Sequence, residues 1–151
     1  MISDPSPRPW FAPTGIAEPM RLVLDASAAV HVVLGTPKAA KLLDRLDQAS
    51  LVLAPSLYHA EVANTLWKYL RAGELHREQV FEHYEAAAGL LDGVEPDASL
   101  AAEALAGAAR HAHPVYDLLY LVTALRNGCR LLTVDTRLAA LARRIDPELL
   151  A

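Results

Sequence analysis

Four acidic residues of this 151-residue chain stand in settings that call for a reason: Asp25 in LVLDASA, Glu61 in HAEVANTLWK, Asp117 in VYDLLYLVTAL and Asp135 in LLTVDTRL. Asp25 and Asp135 stand where apolar runs end. Glu61 and Asp117 stand early in segments of helical pattern. Brought together, four carboxylates repel one another and stay ionised only beside a cation. A cluster of hard oxygen donors is chemically a divalent-metal site. Its natural substrate is a phosphodiester, whose charge such an ion neutralises.

The elements that would position these acids can be read along the chain. Apolar runs at Arg21–Leu24, Leu51–Ala54, Val94–Glu95 and Arg130–Val134 predict strands. Helical pattern covers Ser27–Leu34, Pro37–Gln48, Leu57–Arg71, Glu78–Leu91, Ala98–His111, Pro114–Asn127 and Thr136–Arg144. Gly35, Gly73 and Gly128 serve as stops and Ser56 as an expected cap. Strands alternating with helices predict a parallel sheet of about four to five strands covered on both faces. Ligands of such sheets bind beyond the carboxyl ends of the strands. Asp25 and Asp135 lie at those ends. The helices carrying Glu61 and Asp117 start at the same edge, so all four acids map to one rim.

Each acid also has a plainer reading. Asp25 and Asp135 could be N-caps, with Ser27 and Thr133 supplying hydroxyls that orient a carboxylate or simply cap. Glu61 could be a surface residue on a polar stripe shared with Asn64 and Lys68. Asp117 resists such a reading, because its helix is apolar on nearly every side and reads as buried. Burying a bare carboxylate costs several kcal/mol, and interaction with the helix dipole returns only about 0.3–1 kcal/mol. Elsewhere, His111 and His113 lack a third ligand for zinc and read as a helix C-cap. Cys129, Tyr58, Trp67 and Tyr69 read as packing.

Composition sets outer limits. The chain is 53% hydrophobic and 21% charged, as expected of one soluble domain. No apolar run is long enough to span a membrane. The single cysteine excludes an internal disulfide and suits a reducing cytoplasm. The net charge of −4 comes from 18 acidic against 14 basic residues, so without the four acids the balance is 14 to 14. Residues 1–19 hold five of the ten prolines and no periodicity. They read as an irregular extension, with Met20 a candidate true start and residues 20–151 the domain. Trp10 and Phe11 could dock that extension.

The motif series D-A-S at Asp25–Ser27, E-x-x-N at Glu61 and Asn64, Y-D-x-x-Y-L-x-x-A from Tyr116 to Ala124, and L-T-x-D-x-x-L from Leu132 to Leu138 resembles the PIN domain. Within that group it resembles the VapC toxins of bacterial toxin–antitoxin pairs. The resemblance spans roughly Arg21 to Leu141. It implies a three-layer α/β/α sandwich and a Mg²⁺- or Mn²⁺-dependent endoribonuclease. It also implies a homodimer and a small VapB-like antitoxin that fills the active-site groove. On that reading Asp25, Asp117 and Asp135 are metal ligands, direct or through water. Glu61 is a further ligand or orienting carboxylate, and Asn64 a supporting donor. Lys68, Arg71, Arg126 and Arg137 are the candidate RNA-gripping cations. The antitoxin would bring a basic peptide to the four acids and an apolar segment along the helix faces near Trp67 and Tyr69.

Rival chemistries fit less well. A haloacid-dehalogenase-like aspartyl phosphate needs a second acid two residues after Asp25, where Ser27 stands. A receiver domain needs a lysine where Asp135 stands. The serious alternative is a non-catalytic interaction module that keeps the acids for metal-stabilised folding or docking.

Overall fold

A computed structural model describes residues 19–151. The expectations for Trp10, Phe11 and the proline-rich segment before Pro19 lie outside the described residues. From Met20 the order is β1 (Met20–Leu24), α1 (Ala26–Leu34), α2 (Ala39–Gln48), β2 (Ala49–Pro55), α3 (Leu57–Arg71), α4 (Arg77–Gly89), β3 (Gly93–Glu95), α5 (Asp97–His111), α6 (Val115–Asn127), β4 (Arg130–Leu132) and α7 (Thr136–Ile145). A 3₁₀ turn at Pro147–Leu149 follows.

The four strands form one parallel sheet in the order β3-β2-β1-β4. Leu22, Val23 and Leu24 are fully buried, as a central strand covered on both faces requires. Helix α6 packs on β1, β2 and β4 and carries α5 on its outer side. Helices α2 and α3 pack on β2, and α1 and α4 join them. The result is the three-layer α/β/α sandwich. Tyr58, fully buried on α3, donates its hydroxyl to Ala87 O on α4 at 2.7 Å and ties that layer together. Cys129 is buried, as a packing residue should be.

Strand order reverses at β1: β2 and β3 build out on one side and β4 on the other. In parallel sheets such a reversal is where ligands bind, in the crevice beyond the carboxyl ends of the strands on either side. Asp25 and Asp135 are the residues that border it.

Three local expectations change. Strand β4 ends at Leu132, two residues short of the predicted Val134. Thr133 and Val134 leave the ladder because their polar groups turn to the β1 end, where the Thr133 hydroxyl meets Asp25 and Val134 N–H meets Ser27 Oγ. Ser56 does not cap α3 with its own side chain. Instead Leu57 N–H donates to Asp97 Oδ1 at 3.0 Å, and Asp97 N–H donates to Ser56 Oγ at 2.9 Å. This reciprocal staple joins the heads of α3 and α5 at the carboxyl edge. Finally, α6 is not buried on all sides: Tyr116 is 64% and Leu125 55% exposed.

The staple fixes the helix that carries Glu61. Asp97→Ala removes the acceptor for an orphan helix N–H and should lower stability by about 1–2 kcal/mol. Urea unfolding would show this as a lower midpoint at unchanged slope. An unchanged midpoint would mean that the staple contributes nothing.

Candidate active site

Asp25 is the single residue between the end of β1 at Leu24 and the start of α1 at Ala26. Its extended backbone places it as the N-cap, but its side chain makes no cap bond. The carboxylate is instead 6% exposed, and Oδ2 accepts from Ser27 Oγ at 2.5 Å and Thr133 Oγ1 at 2.7 Å. Both hydroxyls are themselves held. Ser27 Oγ accepts from Val134 N–H at 3.3 Å, and Thr133 Oγ1 accepts from Asp135 N–H at 3.0 Å. Two hydrogen-bond chains thus run from the backbone after β4 to the carboxylate after β1.

Asp135 is exposed and caps α7 with one oxygen, Oδ1, which accepts from Arg137 N–H at 2.8 Å and Leu138 N–H at 3.0 Å. The plain capping reading therefore holds for half of this carboxylate. Glu61, half-buried in the second turn of α3, takes the Tyr120 hydroxyl of α6 on Oε1 at 2.6 Å. Burial pushes the Tyr120 hydroxyl pKa far up, so it stays protonated and donates. Asp117, in the first turn of α6, meets His113 Nε2 with Oδ2 at 2.6 Å. Its side chain is 28% exposed. Asp25, not Asp117, is the buried carboxylate, since Asp117 keeps part of its side chain in solvent.

A common pattern emerges. Each acid gives one oxygen to donors of the fold, and its second oxygen (Asp25 Oδ1, Glu61 Oε2, Asp117 Oδ1, Asp135 Oδ2) takes no hydrogen bond from the described residues. The four also feel each other. Burial raises the Asp25 pKa against the opposing hydroxyl bonds, and the charges of Asp135 and Asp117 raise it further. Burial likewise raises Glu61 against the Tyr120 bond, with Asp25, Asp117 and Asp135 adding to the rise. Repulsion of this kind is relieved by a cation.

Among the described residues, no three acid, histidine or cysteine side chains converge closely enough to hold one ion by direct ligation alone. The donor set is nevertheless all oxygen, with His113 committed to Asp117 and the sole cysteine buried elsewhere. It suits a hard ion that retains part of its water shell between itself and the carboxylates, the habit of Mg²⁺. It does not suit zinc, which favours nitrogen and sulfur ligands in a closed tetrahedron.

The remaining sequence candidates scatter. Ser27 and Thr133 orient Asp25. Asn64 is exposed on the Glu61 face, and its side chain makes no hydrogen bond among the described residues. Lys68 and Arg71 lie in the last turn of α3, about 10 and 15 Å along the helix from Glu61. Arg71 stacks on Trp67 with its guanidinium carbon 4.8 Å from the ring centroid. Arg137 is exposed beside Asp135. Arg126 is placed at the far end of α6 and is bonded to Glu103 of α5. It leaves the RNA-gripping set, because the helix start, not its end, faces the crevice. Tyr120 and His113 are the donors that sequence reasoning missed. Tyr120 was visible within the Y-D-x-x-Y motif, and His113 by its four-residue spacing from Asp117.

Exposed Trp67 and Phe81, with Ala63, Leu66, Leu70 and Tyr84, line an apolar groove of about 490 Å³ between α3 and α4. Tyr69 lies on a separate surface beside Lys68 and Glu74.

Comparison with known proteins places the chain in a lineage. The family model described as PIN domain matches residues 22–144. Ribonuclease VapC3 of Pyrobaculum aerophilum is 32% identical over 127 residues, covering 80% of this chain and 93% of that protein. Ribonuclease VapC1 of Mycobacterium tuberculosis is 34% identical over 118 residues, covering 78% and 88%. The crystal structure of PAE2754 from Pyrobaculum aerophilum superposes with a TM-score of 0.64 at 24% identity, over 83% of this chain and 81% of that one, and shares the fold. The match reaches every strand of the sheet and includes all four acids, and the chain belongs to the PIN-domain family, among its VapC-like members.

Proposed function

We propose that this protein is a divalent-metal-dependent endoribonuclease, the toxin of a toxin–antitoxin pair. The observation that carries the reading is the set of four coupled carboxylates at the crevice, each anchored by one oxygen and open at the other. Ribonuclease relatives of similar length support it.

Asp25, Asp117 and Asp135 hold Mg²⁺ or Mn²⁺, directly or through water. When bound, the ion lowers the pKa of a water and neutralises phosphate charge. Ser27 and Thr133 keep Asp25 in one rotamer. Asp135 is fixed by the head of α7. Glu61 takes the proton from the attacking water at Oε2. Its carboxyl binds protons more tightly than an ordinary glutamate because it is partly desolvated, and a base works best with a pKa nearer the operating pH. The 3′-oxygen of the cleaved bond departs, so the RNA 2′-hydroxyl takes no part. Arg137 grips the phosphate beside the site, and Lys68 and Arg71 follow the strand along α3.

An antitoxin fits the same surface. A basic segment neutralises the acids, and an apolar segment covers the α3–α4 groove at Trp67 and Phe81. A second copy of the chain completes a homodimer, and the protein works in the cytoplasm. No helix among the described residues is long and apolar enough to cross a membrane.

Purified protein with Mn²⁺ should cleave RNA to 5′-phosphate and 3′-hydroxyl ends. Asp25→Asn and Asp135→Asn should each lose more than the roughly 10–100-fold that removal of a ligand's supporting partner costs. Ends carrying 2′,3′-cyclic phosphate would exclude this mechanism. Metal-stabilised protein that cleaves no RNA would leave the docking-module reading in its place.

Metal-free stability should carry an electrostatic signature. Folding raises the proton affinity of Asp25 and Glu61 above their ordinary values of 3.8 and 4.5. Their contribution is therefore full below those values and is lost as pH rises through the raised ones. As pH rises above those ordinary values, the melting temperature of wild type should fall relative to that of Asp25→Asn. Millimolar Mn²⁺ should close the gap at neutral pH by stabilising wild type alone. A wild type whose melting ignores both pH and Mn²⁺ would rule out the cation site.

A further inference from the structure

His113 stands outside the four-acid set, in the short link between α5 and α6. Its side chain is nonetheless only 8% exposed, with Nε2 2.6 Å from Asp117 Oδ2. The link is built to aim it. Ala112, just before it, has φ of 50° and is the one non-glycine residue with positive φ among the described residues. Residues with a Cβ seldom enter that region. The His113 N–H returns to Ala108 O at 3.2 Å and closes the end of α5. Pro114 then fixes the entry to α6. Three residues thus turn the chain between two packed helices and set His113 four residues before Asp117.

Helix stabilisation does not account for this pair. A histidine at a helix N-terminus gains nothing from the dipole and opposes it when charged. Holding a carboxylate is what the geometry achieves. Nε2–H donates to Oδ2 in the neutral tautomer that carries the proton there and in the charged ring alike. Oδ1 is left without a partner among the described residues.

We propose that His113 is a positioning residue for the cation site: it fixes Asp117 Oδ2 and leaves Oδ1 oriented toward the ion. The inference rests on the divalent-cation reading above. Carboxylate ligands elsewhere are commonly held by such outer partners. Here the four acids divide that role among hydroxyls, a phenol, backbone amides and one imidazole.

The test is Mn²⁺ binding by calorimetry on the full chain without RNA. His113→Leu removes the donor and keeps similar bulk. His113→Gln returns an N–H donor at similar reach. The expected result is saturable binding by wild type, about 10–100-fold weaker binding by His113→Leu, and recovery of most of that loss by His113→Gln. Wild-type affinity in folded His113→Leu would overturn the positioning role while the cation site stands. Equal weakening in both variants would likewise overturn it as a hydrogen-bond effect. Failure of wild type to bind Mn²⁺ would overturn the cation reading itself. Should His113→Leu fail to fold, the imidazole nitrogen spectrum of metal-free wild type decides: Nε2 must carry a proton, and a bare Nε2 contradicts the proposal.

Discussion

The carboxylate of Asp25 is buried at the end of the central strand, with two hydroxyls donating to one of its oxygens. Those hydroxyls belong to Ser27, just after β1, and Thr133, just after β4. Each is oriented by a backbone N–H from the β4 side. The carboxylate therefore latches together two chain segments that the reversal of strand order would otherwise let diverge. Thr133 and Val134 leave the sheet to form this latch, and their departure brings Asp135 to the head of α7. The spacing of the candidate site follows from that one anchored group.

The same anchoring sets the electrostatics. Burial opposes ionisation of Asp25, and nearby acids add to the opposition. Hydroxyl donors offset part of this but bring no positive charge. The same holds at Glu61, where the donor is the Tyr120 phenol. A fold that wanted these groups merely satisfied would supply a lysine or arginine, or an apolar residue. This one supplies neutral or weakly basic donors to one oxygen of each acid. On the proposed function, an external cation, or in its absence a basic peptide, matches the remaining negative charge.

Much of this was legible in the sequence because two signals are local. Apolar runs and helical periodicity placed all four strands, the central ones within a residue or two. The connectivity of a parallel sheet then sent Asp25, Glu61, Asp117 and Asp135 to one rim. What escaped were interactions between residues distant in sequence. Ser56 reads as a cap, yet its helix is capped by Asp97, some 40 residues on. Arg126 reads as a free cation, yet it is paired with Glu103 across two helices. Asp117 reads as buried because α6 is apolar in composition, but composition does not reveal which face meets solvent. His113 reads as a helix end, because the left-handed turn at Ala112 that redirects it has no glycine to announce it.

The central proposal is that Asp25, Asp117 and Asp135 hold a hard divalent cation, directly or through water, beside Glu61. Anomalous diffraction from crystals of wild-type protein soaked in Mn²⁺ tests it most directly. The account predicts a manganese peak in the crevice between Asp25, Glu61, Asp117 and Asp135, with ordered water completing its coordination. A map with no peak there, or with manganese bound only at other surface acids, would contradict it.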